Sequence, residues 1–241
     1  NFPCWGMLEK LAPTLLAGMP ALVKPASQTA YLTELMVRKM IGTGLLPDGA
    51  LQLVCGSVGD MLDHVTGQDV VTFTGSAQTG RKLKTTPAIV ENSVRFTMEA
   101  DSLNAAVLGP DAGPGTQEFD LFVKEVAREM TAKTGQKCTA IRRALVPRAF
   151  AEAARDALAD RLARTTVGLP GEDGVRMGPL ASISQREEVR ARIHELSAEA
   201  RIVAGDPGVP DVCSGDPALG AFLNPVLLYC DEPKTARAVH D

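Results

Sequence analysis

The chain has 241 residues, a length for one or two compact domains. Apolar residues make up 45% and charged residues 22%, the balance of a globular chain, which excludes intrinsic disorder and fibrous architectures. A formal net charge of −4, with 25 basic residues spread along the chain, leaves no concentrated field for a phosphate backbone and excludes nucleic acid as a partner; Lys10, Lys24, Arg38 and their like interrupt every apolar stretch before it reaches the roughly 18–20 residues of a membrane span.

Leu8, Leu11 and Leu15 recur at helical spacing, and the run Ala21-Leu22-Val23, ended by Lys24-Pro25, predicts a strand. Leu32, Leu35, Met36 and Met40 mark a second helix closed by Gly42 and Gly44, before a strand at Leu51-Gln52-Leu53-Val54-Cys55. A short segment from Met61 to Val65 leads into the strand Val70 to Thr74; Gly75-Ser76 then opens a helix through Leu83, and another strand runs from about Val94 to Met98. This cadence predicts an α/β fold with a parallel, doubly wound sheet whose strands are apolar on both faces and covered by helices, a class that commonly binds nucleotides. Ligands in such sheets collect at the carboxyl ends of the strands, here Lys24-Pro25-Ala26-Ser27, Cys55-Gly56-Ser57, Thr74-Gly75-Ser76 and Glu99.

The character shifts after Asp101, which places one domain at residues 1–101 and a second at 102–241. A strand at Ala105 to Leu108 and a flexible stretch from Gly109 to Gly115 precede a long helix with Phe119, Phe122, Val123, Val126 and Met130 on one face, stopped by Gly135. Next come the loop Gly135-Gln136-Lys137-Cys138-Thr139, a strand at Ala144 to Val146, and a helix from about Ala149 to Arg164. Ser184, with Glu187 three residues later, has the capping-box pattern of a further helix start. The Gly-, Pro- and Asp-rich stretch from Gly205 to Gly220 predicts an exposed connection before the strand Val226 to Tyr229.

Five cysteines at long spacings, without a CxxC, fit neither a disulfide framework nor a zinc site, and point to a reducing cytoplasm with no metal centre. Cys138 is the sharpest candidate nucleophile, because its polar loop lies beside Lys137 and close to Arg142-Arg143, where positive charge favours a thiolate. Taken alone, a loop cysteine is more often inert than nucleophilic. Cys55 and Cys230 end apolar runs and read as buried packing residues, Cys213 as a loop residue, and Cys4 as part of a helix entry. His64, His194 and His240 read as surface or structural histidines, which disfavours a cysteine–histidine pair. Glu99, at the end of its strand on the ligand-binding edge, is the better candidate base, although a plain loop acid is the commoner role for such a residue.

Asn1-Phe2-Pro3, Val23-Lys24-Pro25, Phe73-Thr74-Gly75-Ser76, Glu99 and Cys138 stand in one order, 23 residues from Asn1 to Lys24, 52 from Lys24 to Ser76 and 39 from Glu99 to Cys138, and Met177-Gly178-Pro179-Leu180 follows. The set resembles the aldehyde dehydrogenase superfamily over essentially the whole chain. The resemblance implies a partial parallel, doubly wound NAD(P)-binding domain and a partial α/β catalytic domain. It makes Cys138 the nucleophile that attacks an aldehyde, Asn1 an oxyanion-hole donor together with the Cys138 backbone N–H, and Glu99 the base that activates water to release the acid. Lys24, Gly75 and Ser76 become cofactor-binding, with the helix after Gly75-Ser76 offering amides to phosphate.

Three residues after Lys24, NAD-preferring relatives carry a glutamate that binds the ribose hydroxyls, whereas this chain has Ser27, which can accept a 2′-phosphate; NADP is the expected cofactor, with NAD possible, and a simple helix N-cap is the alternative role for Ser27. The phrases Cys4 to Pro13, Met98-Glu99-Ala100-Asp101-Ser102-Leu103-Asn104 and Gly135 to Arg143 depart from common members, which have two glycines after the glutamate, and are similar to the group that oxidises ring-opened coenzyme A semialdehydes in aromatic catabolism. That resemblance implies a small CoA-linked aldehyde as substrate, a homo-oligomeric parent, and a possible fused hydratase domain. A chain opening at Asn1 reads as a fragment cut within the site, expected to be inactive alone. A nucleotide-binding module without turnover and a cofactor-independent cysteine hydrolase using Cys138 and Glu99 remain the competing readings.

Overall fold

The computed structural model describes residues 2–208 and 210–236. The chain divides into two compact units, Asn1–Asp101 and Ser102–Asp241.

In the first unit, helix α1 (Pro3–Leu16) begins with a proline where the first amides of a helix have no partner anyway, and buries Met7 and Leu11, one turn apart. Strands β1 (Ala21–Val23) and β2 (Leu51–Leu53) pair in parallel, Ala21 opposite Leu51, with α2 (Ala30–Gly42) as the crossover. Met7, Leu11, Val37 and Leu51 form the core between these elements. Thr33 on α2 is fully buried and donates its hydroxyl to the Pro3 carbonyl at 3.3 Å, which satisfies a group whose burial would otherwise be costly.

Strands β3 (Val70–Gly75) and β4 (Arg95–Ala100) make a second parallel pair, in continuous register from Val70 opposite Arg95 to Gly75 opposite Ala100. Two helices, α3 (Ala77–Lys84) and α4 (Pro87–Glu91), fill the crossover. The parallel α/β order is as expected, but the strands are not apolar on both faces and buried. Helices α1 and α2 pack against each other and against β1 and β2, so a side chain directed elsewhere, such as Leu22, stays exposed. Strand β4 also runs further than its apolar pattern suggested, and Glu99 lies within it, opposite Thr74.

The second unit opens with β5 (Asn104–Val107), parallel to β6 (Ile141–Leu145). Between them runs α5 (Gln117–Thr131), capped by Thr116, whose hydroxyl accepts from the Phe119 amide. A 3₁₀ turn at Arg148–Phe150 leads into α6 (Ala151–Leu162). Phe119, Val123 and Val126 of α5 meet Ala154, Leu158 and Leu162 of α6 in the largest core, where each large side chain contributes about 1.5–3 kcal/mol by leaving water.

Helix α7 (Ile183–Leu196) is capped by Ser182, which accepts from the Gln185 amide, and not by Ser184. Glu187 is therefore no capping-box partner. It bridges Arg186 and Arg190, and its carboxyl is held below its ordinary pKa first by the hydrogen bond from Arg186. Those arginines fasten the 205–220 connection: Arg190 donates to the Pro207 and Gly208 carbonyls, each at 2.7 Å, and Arg186 to the Gly220 carbonyl at 2.8 Å. Strand β7 (Arg201–Ala204), four residues opened by an arginine and without a sequence signal of its own, pairs antiparallel with β8 (Leu227–Tyr229).

Gly205 ends β7 at φ +79°, and an added Cβ there would run into the Pro225 carbonyl oxygen and lie 3.0 Å from Val226 Cα. Backbone cannot swing aside as a long side chain can. Gly205→Ala is expected to destabilise the second unit by about 2–4 kcal/mol through left-handed strain plus overpacking, read as a lowered urea unfolding midpoint. Among the described residues no helix is long and apolar enough to cross a membrane.

Candidate active site

Lys24, Ser27, Gly75, Ser76 and Glu99 fall in the first unit and Cys138 in the second; Asn1 lies outside the described residues. Lys24 is exposed directly after β1. Ser27, also exposed, begins a 3₁₀ turn whose N-cap position is Ala26, so the alternative role of Ser27 as a helix cap does not hold.

Gly75 closes β3, and Ser76 is the N-cap of α3: its hydroxyl accepts from the Thr79 amide at 3.2 Å. The helix can lie close on the strands because Gly80 has no side chain; an added Cβ would strike Met98 and stand 3.2 Å from the Phe73 ring. The start of α3 is not an open anion cradle, because the Asp101 carboxylate already accepts from the Ala77 amide at 3.0 Å. Two of its first three amides, those of Ala77 and Thr79, are thus held by the chain itself.

Glu99 is brought beside this turn by the strand register, which sets it opposite Thr74 and one residue before Ala100, the partner of Gly75. Its side chain is 57% exposed, so water reaches the carboxylate. Lys10 on α1 places its ammonium 3.9 Å from Glu99 Oε2 and 2.5 Å from Glu9 Oε1. The hydrogen bond from Lys10 holds the Glu9 carboxyl below its ordinary pKa.

In the second unit, Cys138 is exposed on the loop between α5 and β6. The approach to it is unusual: Lys133 (φ 53°), Thr134 (φ 57°) and Gly135 (φ 66°) are all left-handed, a conformation that costs non-glycine residues about 1–3 kcal/mol and persists only where neighbours hold it. Here they do. Thr134 Oγ1 donates to the Gly178 carbonyl at 2.9 Å, Gln136 accepts from the Ala181 amide at 2.9 Å, and Arg142 donates to the Gly135 carbonyl at 2.9 Å. The Met177-Gly178-Pro179-Leu180 turn is thereby tied to the cysteine loop. Asn104 at the start of β5 donates to the Cys138 carbonyl at 2.5 Å and to that of Ala140 at 3.2 Å, fixing the peptide of Cys138 itself.

Lys137 corrects a sequence expectation. Its ammonium is paired with Glu129 at 2.6 Å, both side chains being largely buried, so its charge is matched within the loop's support and is not simply lent to the neighbouring thiol. Of the other thiols, Cys55 is exposed, contrary to its reading as a packing residue, because the strand ends at Leu53 and Cys55 lies beyond it. Cys213 is exposed and its thiol donates to the Val167 carbonyl. His64 and His194 are exposed, and His240 lies outside the described residues.

Sequence reasoning passed over Lys10, Asp101, Asn104, Thr134 and Glu129. The departure at Ala100-Asp101-Ser102 from a glycine pair was visible, but not that Asp101 sits at φ +49° and caps a helix.

The sequence model of the aldehyde dehydrogenase family matches residues 1–238, and the chain belongs to this family. Among curated relatives, it is 52% identical over 242 residues to a 3,4-dehydroadipyl-CoA semialdehyde dehydrogenase of Aromatoleum evansii, covering all of this chain and 47% of that protein. It is 31% identical over 219 residues to a putative aldehyde dehydrogenase of Staphylococcus aureus (strain MSSA476), covering 88% of this chain and 44% of that one. Among solved structures, a betaine aldehyde dehydrogenase of Staphylococcus aureus in complex with NAD+ superimposes with a TM-score of 0.85 at 27% identity, over 99% of this chain and 46% of that chain. A mutant of aldehyde dehydrogenase C from Pseudomonas syringae with NAD+ and octanal gives a TM-score of 0.84 at 26% identity, over 99% and 47%. The α/β architecture is that of the aldehyde dehydrogenase fold, and the chain spans about half the length of the relatives it matches.

Proposed function

We propose that this chain carries the cofactor-binding edge and the nucleophile of an NADP-dependent aldehyde dehydrogenase that oxidises a CoA-linked semialdehyde to its free acid, with residues 1–101 as part of the NAD(P)-binding domain and 102–241 as part of the catalytic domain. The observation that carries the reading is the state of Cys138: an exposed thiol on a strained loop whose peptide is fixed by Asn104 and whose approach is pinned to the Gly178 turn. Such support is unnecessary for a bystander cysteine and suits a nucleophile that must stand in one place.

In this reading the exposed Cys138 thiol gives its proton to solvent, the thiolate sulfur adds to the aldehyde carbon, and the resulting alkoxide is held by the Cys138 backbone N–H and the Asn1 amide. A bound nicotinamide supplies the hydride acceptor. The thioester left on Cys138 is then cleaved by water, from which Glu99 takes a proton; the C–S bond breaks and the acid departs. Glu99 suits that task because its carboxylate is solvent-accessible and beside the Gly75-Ser76 turn. The exposed Lys24 ammonium and the Ser27 hydroxyl suit the ribose and phosphates of a dinucleotide, with the Gly75-Ser76 turn as a neighbour of the cofactor and not as an anion cradle, since its Ala77 and Thr79 amides are held by the chain.

The substrate class follows from two supports. The phrases around Glu99 and Cys138 resemble the dehydrogenase domain of the bifunctional phenylacetate-degradation protein, which acts on 3-oxo-5,6-dehydrosuberyl-CoA semialdehyde, and the relative from Aromatoleum evansii is named for 3,4-dehydroadipyl-CoA semialdehyde. Both are ring-opened CoA semialdehydes of aromatic catabolism. A cytoplasmic setting and a homo-oligomeric parent belong to the same proposal. The test is NADPH formation by the complete protein with each of the two semialdehydes; activity that persists without any nicotinamide cofactor would instead favour a cysteine hydrolase.

The cofactor preference has its own test. Ser27→Glu places a carboxylate where the 2′-phosphate is proposed to lie, and is expected to raise KM for NADP about tenfold or more while leaving KM for NAD unchanged or lower. An unchanged ratio of the two KM values would remove Ser27 from the cofactor site.

A further inference from the structure

Asp101 touches both halves of the proposed cofactor edge, through its side chain and its main chain at once. Its carboxylate accepts from the Ala77 amide at 3.0 Å, at the start of α3, and its own amide donates to the Gly75 carbonyl at 3.3 Å, extending the β3–β4 ladder by one bond. It does so in a left-handed conformation, φ +49°, which aspartate tolerates better than most residues but still at a cost. That conformation turns the chain at the end of β4 so that the carboxylate reaches back across to the helix. The two bonds flank Ser76, the cap of α3, and they act on a strand end in which Glu99 stands only two residues earlier.

We propose that Asp101 is a positioning residue for Glu99: it locks the end of β4 to the Gly75-Ser76 turn, so that the carboxylate that releases the acyl-enzyme holds one position relative to the cofactor loop. This rests on the reading of Glu99 as the water-activating base. Without the clamp, the strand end beyond Ala100 loses its carboxylate anchor, and an exposed Glu99 samples positions unproductive for deacylation. Formation of the thioester does not call on Glu99 in this scheme, so the two half-reactions separate the effect.

The experiment compares Asp101→Gly and Asp101→Asn in the complete protein, by pre-steady-state and steady-state NADPH formation with a CoA semialdehyde. Glycine keeps the left-handed turn and removes the acceptor; asparagine keeps both the turn and an acceptor. The expected result is that Asp101→Gly retains a burst of about one NADPH per site but slows steady-state turnover about tenfold or more, and that Asp101→Asn stays within about twofold of the parent. Steady-state turnover unchanged in Asp101→Gly overturns the proposal, as does a burst that falls in step with turnover, which is the signature of general structural loss. The Asp101→Gly/Glu99→Gln double variant distinguishes the two failures. If Asp101 acts through Glu99, the double variant is no slower than Glu99→Gln alone. A further loss equal to that of the single Asp101→Gly variant overturns the positioning role while leaving Glu99 as base, and full turnover in Glu99→Gln alone removes the base on which the proposal rests.

Discussion

Cys138→Ala is expected to lower dehydrogenase turnover of the complete protein by at least about a thousandfold, with no NADPH burst, because in the proposed mechanism its sulfur forms the bond that the rest of the reaction depends on. The variant should fold normally: Cys138 is exposed, and the Asn104 bond is to its backbone carbonyl and survives the substitution. A thermal midpoint within a degree or two of the parent would therefore accompany the loss. Because Cys55 and Cys213 are also exposed, the matched controls are Cys55→Ala and Cys213→Ala, which should keep full activity. Mass spectrometry of the parent, acid-quenched before the thioester is hydrolysed, should place an acyl group on the Cys138 peptide alone. Full turnover in Cys138→Ala would sink the proposed mechanism, and loss without any acyl adduct in the parent would point away from covalent catalysis.

How much of this was legible in the chain depends on whether the determining forces are local. Helices with an apolar stripe, α1, α2, α5 and α6, and short strands rich in apolar or β-branched residues, β1, β2 and β3, are encoded in patterns that any window of sequence displays. Strand β7 is not, since its four residues gain their partners only from β8, more than twenty residues on. The cap of α7 was misplaced by two residues because Ser182 and Ser184 are equally good acceptors on paper, and only the extended backbone at Ser182 lets its hydroxyl face the Gln185 amide.

The candidate site divides the same way. Glu99, Lys24 and the Gly75-Ser76 turn are conspicuous because reactive or flexible residue types stand at the ends of strand-like runs, and Cys138 because it is a thiol on a polar loop. Their supports are long-range pairings: Asn104 lies 34 residues from Cys138, Thr134 lies 44 from Gly178, and Asp101 lies 24 from Ala77. No spacing rule announces such contacts. Lys137 shows the converse error, where a charge adjacent in sequence was assigned to the thiol although folding delivers it to Glu129 on the preceding helix.

Glu99→Gln separates the two halves of the reaction. If Glu99 takes a proton from the water that attacks the Cys138 thioester, glutamine keeps the size and hydrogen-bonding reach of the side chain but has no basic oxygen to offer. Acylation should continue, giving a burst of about one NADPH per site, while steady-state turnover falls by about 10²–10⁴, the typical weight of a general base. The variant enzyme should then accumulate as the acyl form, visible as a mass increase on the Cys138 peptide, and hydroxylamine, which needs no base to attack a thioester, should free the Cys138 thiol by forming the hydroxamate. Stability should be little changed, because the Glu99 side chain is largely exposed and its contact with Lys10, at 3.9 Å, is a solvent-screened pair of the kind worth about 0–1 kcal/mol. A variant that loses burst and turnover together would assign Glu99 to an earlier step, such as drawing the proton from Cys138. A variant that turns over at the parent's rate would leave the strand end at Glu99 as scaffold, and the base would have to be sought elsewhere in the complete protein.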